Sequence, residues 1–148
     1  MFKFSWITKN IAVGSVFKTE DAPKIKKMGV DAIIEIRSEG RDDEKRLKEL
    51  GIEYLHVDVV DRYAPTQKQL NTIYGFALPL LRQNKKIFIH CQNGYGRSPL
   101  VVISILVEKG MSVGDALQLA KDKHSELAFT PQQEKFMYDL MKTTDGEW

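Results

Sequence analysis

The chain has 148 residues, with 22 basic and 20 acidic side chains and a net charge of +2. This length fits a single domain, residues 1–148, that is large enough to bury a core. Because basic and acidic residues are interspersed, the composition favours solvated faces and excludes a strongly basic nucleic-acid patch.

The chain contains one cysteine, Cys91, so it has no internal disulfide. A lone thiol suits a reducing cytoplasm. The first ten residues lack the apolar core of a signal peptide, and no apolar run is long enough to span a bilayer. We therefore expect a monomeric, cytoplasmic protein that does not bind a membrane.

The first sixty residues alternate between apolar runs and turn signals, and they predict two helices and three strands. Trp6 is expected to cover an edge of the core. The predicted elements are a strand at 11–13, a helix capped by Thr19 or Asp21 with Pro23 in its first turn and Gly29 at its end, a strand at 30–36, a helix at 42–50 stopped by Gly51, and a strand at 52–60.

The remaining residues predict one more strand and four helices. Thr66 and Gln69 have the spacing of a capping box and start the first of these helices. The other elements are a buried strand at 87–89, an apolar helix at 100–107 closed by Gly110, a helix at 112–120, and a last helix that starts at 130 and buries Phe136, Leu140 and Met141. Strands alternating with helices predict an α/β fold with a central, mostly parallel sheet flanked by helices.

The most informative stretch is the Cys91 loop (residues 91–97), which lies between the strand at 87–89 and the apolar helix. Gly94 and Gly96 allow its backbone to curl, and a helix start offers unpaired N–H groups and a positive dipole end. The loop is therefore expected to bind an oxyanion. The same field favours the thiolate of Cys91, and Arg97 supplies a planar fork for two phosphate oxygens.

These residues, read as HCQNGYGRS, resemble the signature loop of the cysteine-dependent protein tyrosine and dual-specificity phosphatases. The resemblance covers nearly all of the chain and implies their fold. It also implies that Cys91 attacks phosphorus to form a phosphocysteine and that Arg97 and the loop hold the phosphate oxygens. Ser98 would hydrogen-bond the thiolate, and His90 would support the loop from beneath.

The reaction implied by this resemblance needs a carboxylic acid that protonates the leaving group. Asp61 is the candidate, because it follows the strand predicted at 52–60 and opens a turn that ends in Pro65. Its alternative interpretation is an ordinary turn residue. Asp58 is the rival acid, but the predicted strand contains it, which would keep it from swinging over the pocket.

Two further residues have two interpretations each. Gln133 resembles the glutamine that orients the hydrolytic water in some family members, but Thr130 and Gln133 also have capping-box spacing. Glu39 either pairs with Arg97 and orients its guanidinium or is a solvated turn residue. His56 and His124 have no partners at metal-ligand spacing, so no metal or other cofactor is expected.

The substrate is expected to be a phosphorylated protein. No lysine occurs among the loop residues, which are Gln92, Asn93, Gly94, Tyr95 and Gly96. Family members that act on inositol phosphates commonly have basic residues there, so the loop favours a phosphorylated side chain. A shallow pocket would accept phosphotyrosine and also phosphoserine or phosphothreonine.

The same loop occurs in proteins with different functions. An RNA 5′-triphosphatase has it, and a non-catalytic module would use it to bind a phosphoprotein without cleaving it. Low-molecular-weight phosphatases and arsenate reductases carry their loop near the N-terminus, so the position of Cys91 argues against them.

Overall fold

The computed structural model describes residues 2–144, so the predicted domain 1–148 extends past the described residues at both ends. The chain forms five strands and six α-helices within this range. In order they are β1 Phe4–Trp6, β2 Ile11–Gly14, α1 Ala22–Lys27, β3 Ala32–Ile36, α2 Glu44–Glu49, β4 Glu53–Val57, α3 Gln67–Arg82, β5 Ile87–His90, α4 Arg97–Glu108, α5 Val113–Lys123 and α6 Pro131–Thr144.

The strands form one sheet in the order β1-β2-β5-β3-β4. The pairs β2–β5, β5–β3 and β3–β4 are parallel, and β1 joins the edge antiparallel to β2. This confirms the predicted α/β fold with a mostly parallel sheet. Because β5 lies in the middle of the sheet, the loop that follows it emerges between the ends of β2 and β3.

Side chains alternate across the sheet and divide the core in two. Ile87 and Ile89 of β5 pack with α3, α4 and α5 on one face, whereas Phe88 packs with α1 and α2 on the other. Every residue from Arg97 to Val107 of α4 is buried. A helix that is apolar on all sides is expected to lie inside the protein, and α4 fits this expectation.

Three features near the two ends of the chain differ from the sequence-based prediction: a strand, a helix cap and the buried side of the last helix. The antiparallel strand β1 was not predicted, because three residues carry too little periodicity to identify it. Asp21 precedes α1 but its side chain makes no capping hydrogen bond with that helix. Met137 is the most buried apolar side chain of α6, and the predicted core residues Phe136, Leu140 and Met141 are only partly buried.

The strand predicted at 52–60 ends at Val57, so Asp58 lies outside β4. The prediction that a strand holds Asp58 in place was therefore wrong. Helix α2 begins at Glu44 rather than at residue 42, because Asp43 caps it by accepting a hydrogen bond from the Arg46 amide. Helix α5 extends three residues past Ala120 to Lys123.

The helices within residues 2–144 do not include one with the length and apolar character needed to cross a bilayer.

Candidate active site

Cys91 follows the last residue of β5 and is only 2% exposed. It lies at the base of a cavity of about 170 Å³. The cavity brings together residues far apart in sequence, which are Asp61, Arg62, Cys91, Asn93, Tyr95, Gly96, Arg97, Ala128, Thr130 and Gln133. Four of the five residues predicted to be catalytic are among them, and the fifth, Ser98, lies directly behind Cys91.

Ser98 lies in the first turn of α4 and is fully buried. Its Oγ is 3.1 Å from Cys91 Sγ and 3.3 Å from the carbonyl oxygen of Gly14. The carbonyl only accepts, so the hydroxyl proton is available either to this oxygen or to the sulfur. A thiolate at Cys91 would therefore have a hydrogen-bond donor beside it.

Arg97 is buried at the start of α4 and is held by two partners from other elements. Its Nη1 and Nη2 each donate to one oxygen of Glu39 at 2.7 Å, and Nη1 also donates to the Val59 carbonyl at 2.8 Å. Three of the five N–H groups are used in these bonds. Among the described residues, this arrangement leaves the Nε–Nη2 edge of the guanidinium for an oxyanion.

The charges of this pair reinforce each other. Hydrogen bonding from Arg97 lowers the pKa of Glu39 to about 2, although partial burial opposes the shift. Burial also opposes the charge of Arg97, but the bonds to Glu39 and the neighbouring Cys91 outweigh it, so the pKa of Arg97 is raised. Both groups are therefore charged across the pH range in which proteins are stable.

Asp61 lies over the same guanidinium in the Asp61 turn (residues 58–65). Its Oδ1 is 3.5 Å from Arg97 Nη2, and its side chain is 66% exposed. Asp58 is 72% exposed and lies 3.5 Å from His56 Nε2, outside the cavity lining. Of the two candidate acids, only Asp61 lines the cavity, so the geometry favours Asp61 over Asp58.

Gln133 is 2% exposed and lines the cavity, yet both polar atoms of its side-chain amide form hydrogen bonds within the protein. Its Oε1 accepts from the Thr130 amide at 3.1 Å, which completes a capping box, and its Nε2 donates to the Tyr63 carbonyl at 3.1 Å. Thr130 Oγ1 also donates to the Arg62 carbonyl at 2.8 Å. The start of α6 therefore holds the Asp61 turn by two hydrogen bonds.

Two glycines let the Cys91 loop approach its neighbours. Gly94 has φ +78, and a Cβ there would lie 2.9 Å from the Gly14 carbonyl oxygen. A Cβ at Gly96 would lie 2.7 Å from Gln133 Oε1. Side chains larger than hydrogen would thus displace the loop from β2 or from α6.

The other residues predicted to bind substrate have different positions. Tyr95 is 37% exposed at the rim, where its hydroxyl accepts from Lys3 Nζ at 2.8 Å, and Asn93 is exposed. The side chain of Gln92 does not line this cavity, because its Oε1 accepts from Arg37 Nη1 at 2.7 Å. Gln92 therefore remains a predicted substrate-binding residue only through its backbone.

His90 contacts the Cys91 loop through one ring nitrogen and Asp42 through the other. Nδ1 is 3.2 Å from the Cys91 carbonyl oxygen, and Nε2 is 2.6 Å from Asp42 Oδ2. The sequence interpretation missed Asp42, Arg37 and Gly14, because each contacts His90 or the loop from a segment more than forty residues earlier. Asp42 sits in an ordinary acidic run, 42–44, so no local signal distinguished it.

Glu35, Asp42 and His90 place oxygen and nitrogen atoms within 4.8 Å of one another, an arrangement that could hold a metal ion. No metal-ligand spacing in the sequence indicated this cluster. However, the Glu35 carboxylate already accepts from Arg37 Nε and the Tyr54 hydroxyl, and the cationic guanidinium of Arg37 would repel a metal ion. The donor set therefore fits a hydrogen-bonded ion cluster better than a metal site.

The cavity as a whole places a buried sulfur, a fixed guanidinium and an exposed carboxylic acid around one small space. A tetrahedral oxyanion is the group that such a fork and a helix N-terminus bind. A thiolate can act as a nucleophile and a carboxylic acid as a proton donor, so the arrangement is chemically suited to transfer of a phosphoryl group.

Comparison with known proteins finds similarity to phosphatases. Residues 12–111 match the model of a family described as "Polymorphic toxin system, DSP-PTPase phosphatase". The structure of Tk-PTP in its active form superposes with a TM-score of 0.85 at 25% identity, covering 94% of this chain and 96% of that one.

Two curated relatives are similar in sequence. Phosphatidylglycerophosphate phosphatase PTPMT2 of Arabidopsis thaliana is 25% identical over 147 residues, which are 95% of this chain and 64% of the relative. A probable protein tyrosine phosphatase type IVA B of Dictyostelium discoideum is 31% identical over 75 residues, 51% of this chain and 42% of the relative. The chain thus spans less than two thirds of the length of either relative.

Proposed function

The chain belongs to the DSP-PTPase phosphatase family, and from this premise we propose that it hydrolyses phosphomonoesters of protein side chains through a phosphocysteine at Cys91. The observation that carries the proposal is the meeting of Cys91, Arg97 and Asp61 around one cavity. Residues 1–148 would form a single phosphatase domain without a cofactor. The single domain is supported by Gln133, which lines the cavity although it lies beyond the part of the chain that matches the family model.

In the first step, the thiolate of Cys91 attacks phosphorus while the bond between phosphorus and the side-chain oxygen breaks. Arg97 and the backbone of residues 92–97 hold the three non-bridging oxygens, and their charge favours the transition state. Asp61 gives its proton to the departing oxygen, which leaves as an alcohol or phenol. The products of this step are the dephosphorylated side chain and phosphocysteine.

In the second step, water attacks the phosphorus of phosphocysteine and the P–S bond breaks. Asp61, now ionised, takes a proton from that water, and inorganic phosphate is released. The Ser98 hydroxyl, 3.1 Å from the sulfur, stabilises the departing thiolate. The enzyme thereby returns to its starting state.

Phosphotyrosine is the substrate that the rim of the cavity favours. Tyr63 is 54% exposed and Val60 is 56% exposed in the Asp61 turn, and Tyr95 lies at the rim in the Cys91 loop. Tyr95 lines the cavity, and Val60 and Tyr63 flank the lining residues Asp61 and Arg62 in sequence, so these exposed side chains suit contact with the ring of a phosphotyrosine. A small cavity also admits phosphoserine or phosphothreonine, so dual specificity is included in the proposal. The lone thiol supports action in a reducing compartment such as the cytoplasm.

A phospholipid phosphate is the second candidate. It is favoured by the 25% identity with a phosphatidylglycerophosphate phosphatase along 95% of this chain. The absence of lysine from residues 92–96 argues against a polyphosphorylated headgroup but not against a single terminal phosphate. Hydrolysis of an RNA 5′-triphosphate and phosphoprotein binding without cleavage would use the same loop, and they are included in the test.

A substrate panel distinguishes these functions. The wild type and Cys91→Ser would be assayed on phosphotyrosine, phosphoserine and phosphothreonine peptides, on vesicles containing phosphatidylglycerophosphate, and on RNA with a 5′-triphosphate. We expect the highest kcat/KM on phosphotyrosine peptide and no turnover by Cys91→Ser, which should still bind vanadate or phosphate. Higher activity on the vesicles or the RNA would identify a phospholipid or an RNA end, rather than a protein, as the substrate. Full activity of Cys91→Ser would refute the role of Cys91 as nucleophile.

A further inference from the structure

Behind the Cys91 loop, four charged or titratable side chains form what we call the buried charge cluster: Glu35, Arg37, Asp42 and His90. The side chains of Glu35 and His90 are 0% exposed, that of Asp42 is 2% exposed and that of Arg37 is 10% exposed. The members come from β3, the turn after it and the end of β5. The cluster contacts the backbone of Cys91 through His90, and the catalytic steps proposed above use none of its side chains directly.

The contacts of His90 determine where its protons lie. The Cys91 carbonyl oxygen can only accept a hydrogen bond, so Nδ1, at 3.2 Å, must carry a proton. The Asp42 carboxylate is also an acceptor, so Nε2, at 2.6 Å, must carry a second proton. A ring with protons on both nitrogens is an imidazolium cation.

The charges of the cluster lead to the same state. Glu35 accepts from Arg37 Nε, the Tyr54 hydroxyl and, at 2.9 Å, the Asp42 amide, so three hydrogen bonds favour its ionised form. Burial opposes ionisation, but these hydrogen bonds outweigh it and the pKa of Glu35 is lowered. Two carboxylates and one guanidinium carry a net charge of −1, and a cationic His90 makes the buried cluster neutral. An unbalanced buried charge would be costly.

We propose that Asp42 is a positioning residue that keeps His90 as an imidazolium beneath Cys91, where the charge stabilises the thiolate and the Nδ1–H fixes the Cys91 carbonyl. This inference rests on the proposed role of Cys91 as nucleophile. The ring is also held by aromatic contacts, since it stacks on Phe88 at 5.5 Å and meets the edge of Phe17 at 5.1 Å.

The turn that supplies Asp42 also holds the loop elsewhere. Arg37 donates to Gln92 just after Cys91, and Glu39 holds Arg97 at the end of the loop. Residues 37–42 therefore contact His90, which precedes Cys91, and also Gln92 and Arg97, which follow it. This arrangement links the placement of the sulfur to that of the guanidinium through one short segment.

The groups that face His90 come from several elements, and the test must separate them. Glu35 comes from β3, Arg37 and Asp42 from the following turn, and Cys91 from the loop after β5, while Tyr54 of β4 acts through Glu35. Asp42→Asn removes one negative charge and keeps the size of the side chain. Its amide can donate to Nε2, so His90 becomes neutral while Nδ1–H still reaches the Cys91 carbonyl.

The first experiment measures the alkylation of Cys91 by iodoacetamide, in which sulfur displaces iodide, as a function of pH. Because the chain has one cysteine, the rate reports on Cys91 alone. Asp43→Asn is the matched control, since Asp43 is exposed in the same turn and asparagine also caps a helix. We expect Asp42→Asn to raise the pH at which the alkylation rate is half-maximal by about one unit. Asp43→Asn should keep the wild-type midpoint. Equal midpoints for all three proteins would overturn the inference.

The second experiment uses only the wild-type protein. Nitrogen-15 spectra of its histidine side chains at neutral pH should show both ring nitrogens of His90 protonated, with the signals assigned through the contacts of this ring with Phe17 and Phe88. A neutral ring would overturn the inference. Both readouts are independent of turnover, so a failure to hydrolyse any phosphomonoester would refute the proposed function and leave the role of Asp42 standing.

Discussion

Glu39 and Arg97 face each other as a two-point ion pair, with each terminal nitrogen of the guanidinium 2.7 Å from one carboxylate oxygen. The pair connects the turn after β3 with the first residue of α4, 58 positions apart. Arg97 has few orientations left, because the Val59 carbonyl binds Nη1 from a third element. The guanidinium edge that faces the cavity is thus fixed before a substrate arrives, which reduces the entropy lost on binding.

Glu39→Gln should lower kcat/KM by about 10- to 100-fold, because a hydrogen bond to a charged group contributes about 1.5–3 kcal/mol. The matched control is Glu49→Gln, which removes an exposed carboxylate 3.5 Å from Arg46 and should have little effect. Steady-state kinetics on a phosphotyrosine peptide test both variants. A Glu39→Gln enzyme as active as Glu49→Gln would show that Arg97 needs no carboxylate partner.

The same pair predicts a pH dependence of stability. The pKa of Glu39 is about 2 in the folded chain, below its ordinary value of 4.5, so the pair stabilises the fold fully above about 4.5. That contribution is lost as the pH falls through about 2. Urea unfolding of wild type and Glu39→Gln should therefore show a difference in free energy that shrinks as the pH is lowered from about 5 towards about 2. A difference that stays constant over this range would contradict the assignment.

Asp61→Asn should lower kcat on phosphotyrosine by roughly 10²- to 10⁴-fold, because the leaving oxygen then departs without a proton. The loss should be smaller for aryl phosphates whose leaving groups are stable anions. Asp58→Asn is the control, since Asp58 is exposed three residues earlier and does not line the cavity. If Asp58→Asn lost more activity than Asp61→Asn, the acid would have to be reassigned.

Gln133→Ala should lower stability by about 0.5–2 kcal/mol, because it removes the partner of the Thr130 amide at the start of α6. Gln133→Glu keeps this acceptor and should retain most of the stability. Because both ends of the amide already have partners, we expect no selective slowing of phosphocysteine hydrolysis. Rapid-quench kinetics would test this, and a burst of product followed by a slow phase in Gln133→Ala would instead assign Gln133 to the hydrolytic water.

Gly14→Ala should disrupt the fold around Cys91, because its Cβ would lie 2.0 Å from the Lys3 carbonyl oxygen and 3.1 Å from Phe88. Gly75→Ala is the matched control in the interior of α3, where an added Cβ would meet no atom of another element within 4 Å and alanine should stabilise the helix by about 0.5–1 kcal/mol. Thermal unfolding would compare the two. A Gly14→Ala protein with wild-type stability would show that β1 and β2 can separate without cost.

Much of the architecture follows from local patterns. The run 87–89 and the unbroken apolar segment 100–107 predicted β5 and α4, because a strand and a helix buried on all sides need continuous apolar sequence. The Thr66 capping box also formed as predicted. In contrast, the end of β4 was misplaced, since alternation continues through residues 58–60 after the sheet partner β3 has ended at Ile36.

The Cys91 loop could be identified as an oxyanion-binding loop from the order of residues alone, because its cysteine, glycines and arginine lie within seven consecutive residues. What surrounds the loop became visible only in the folded chain. The strand order brings the turn after β3 beside β5, and this made Glu39 the partner of Arg97 rather than a solvated turn residue and placed Asp42 against His90. Contacts between residues 48 and 58 positions apart leave no periodic trace in the chain, since they arise only when the sheet has formed.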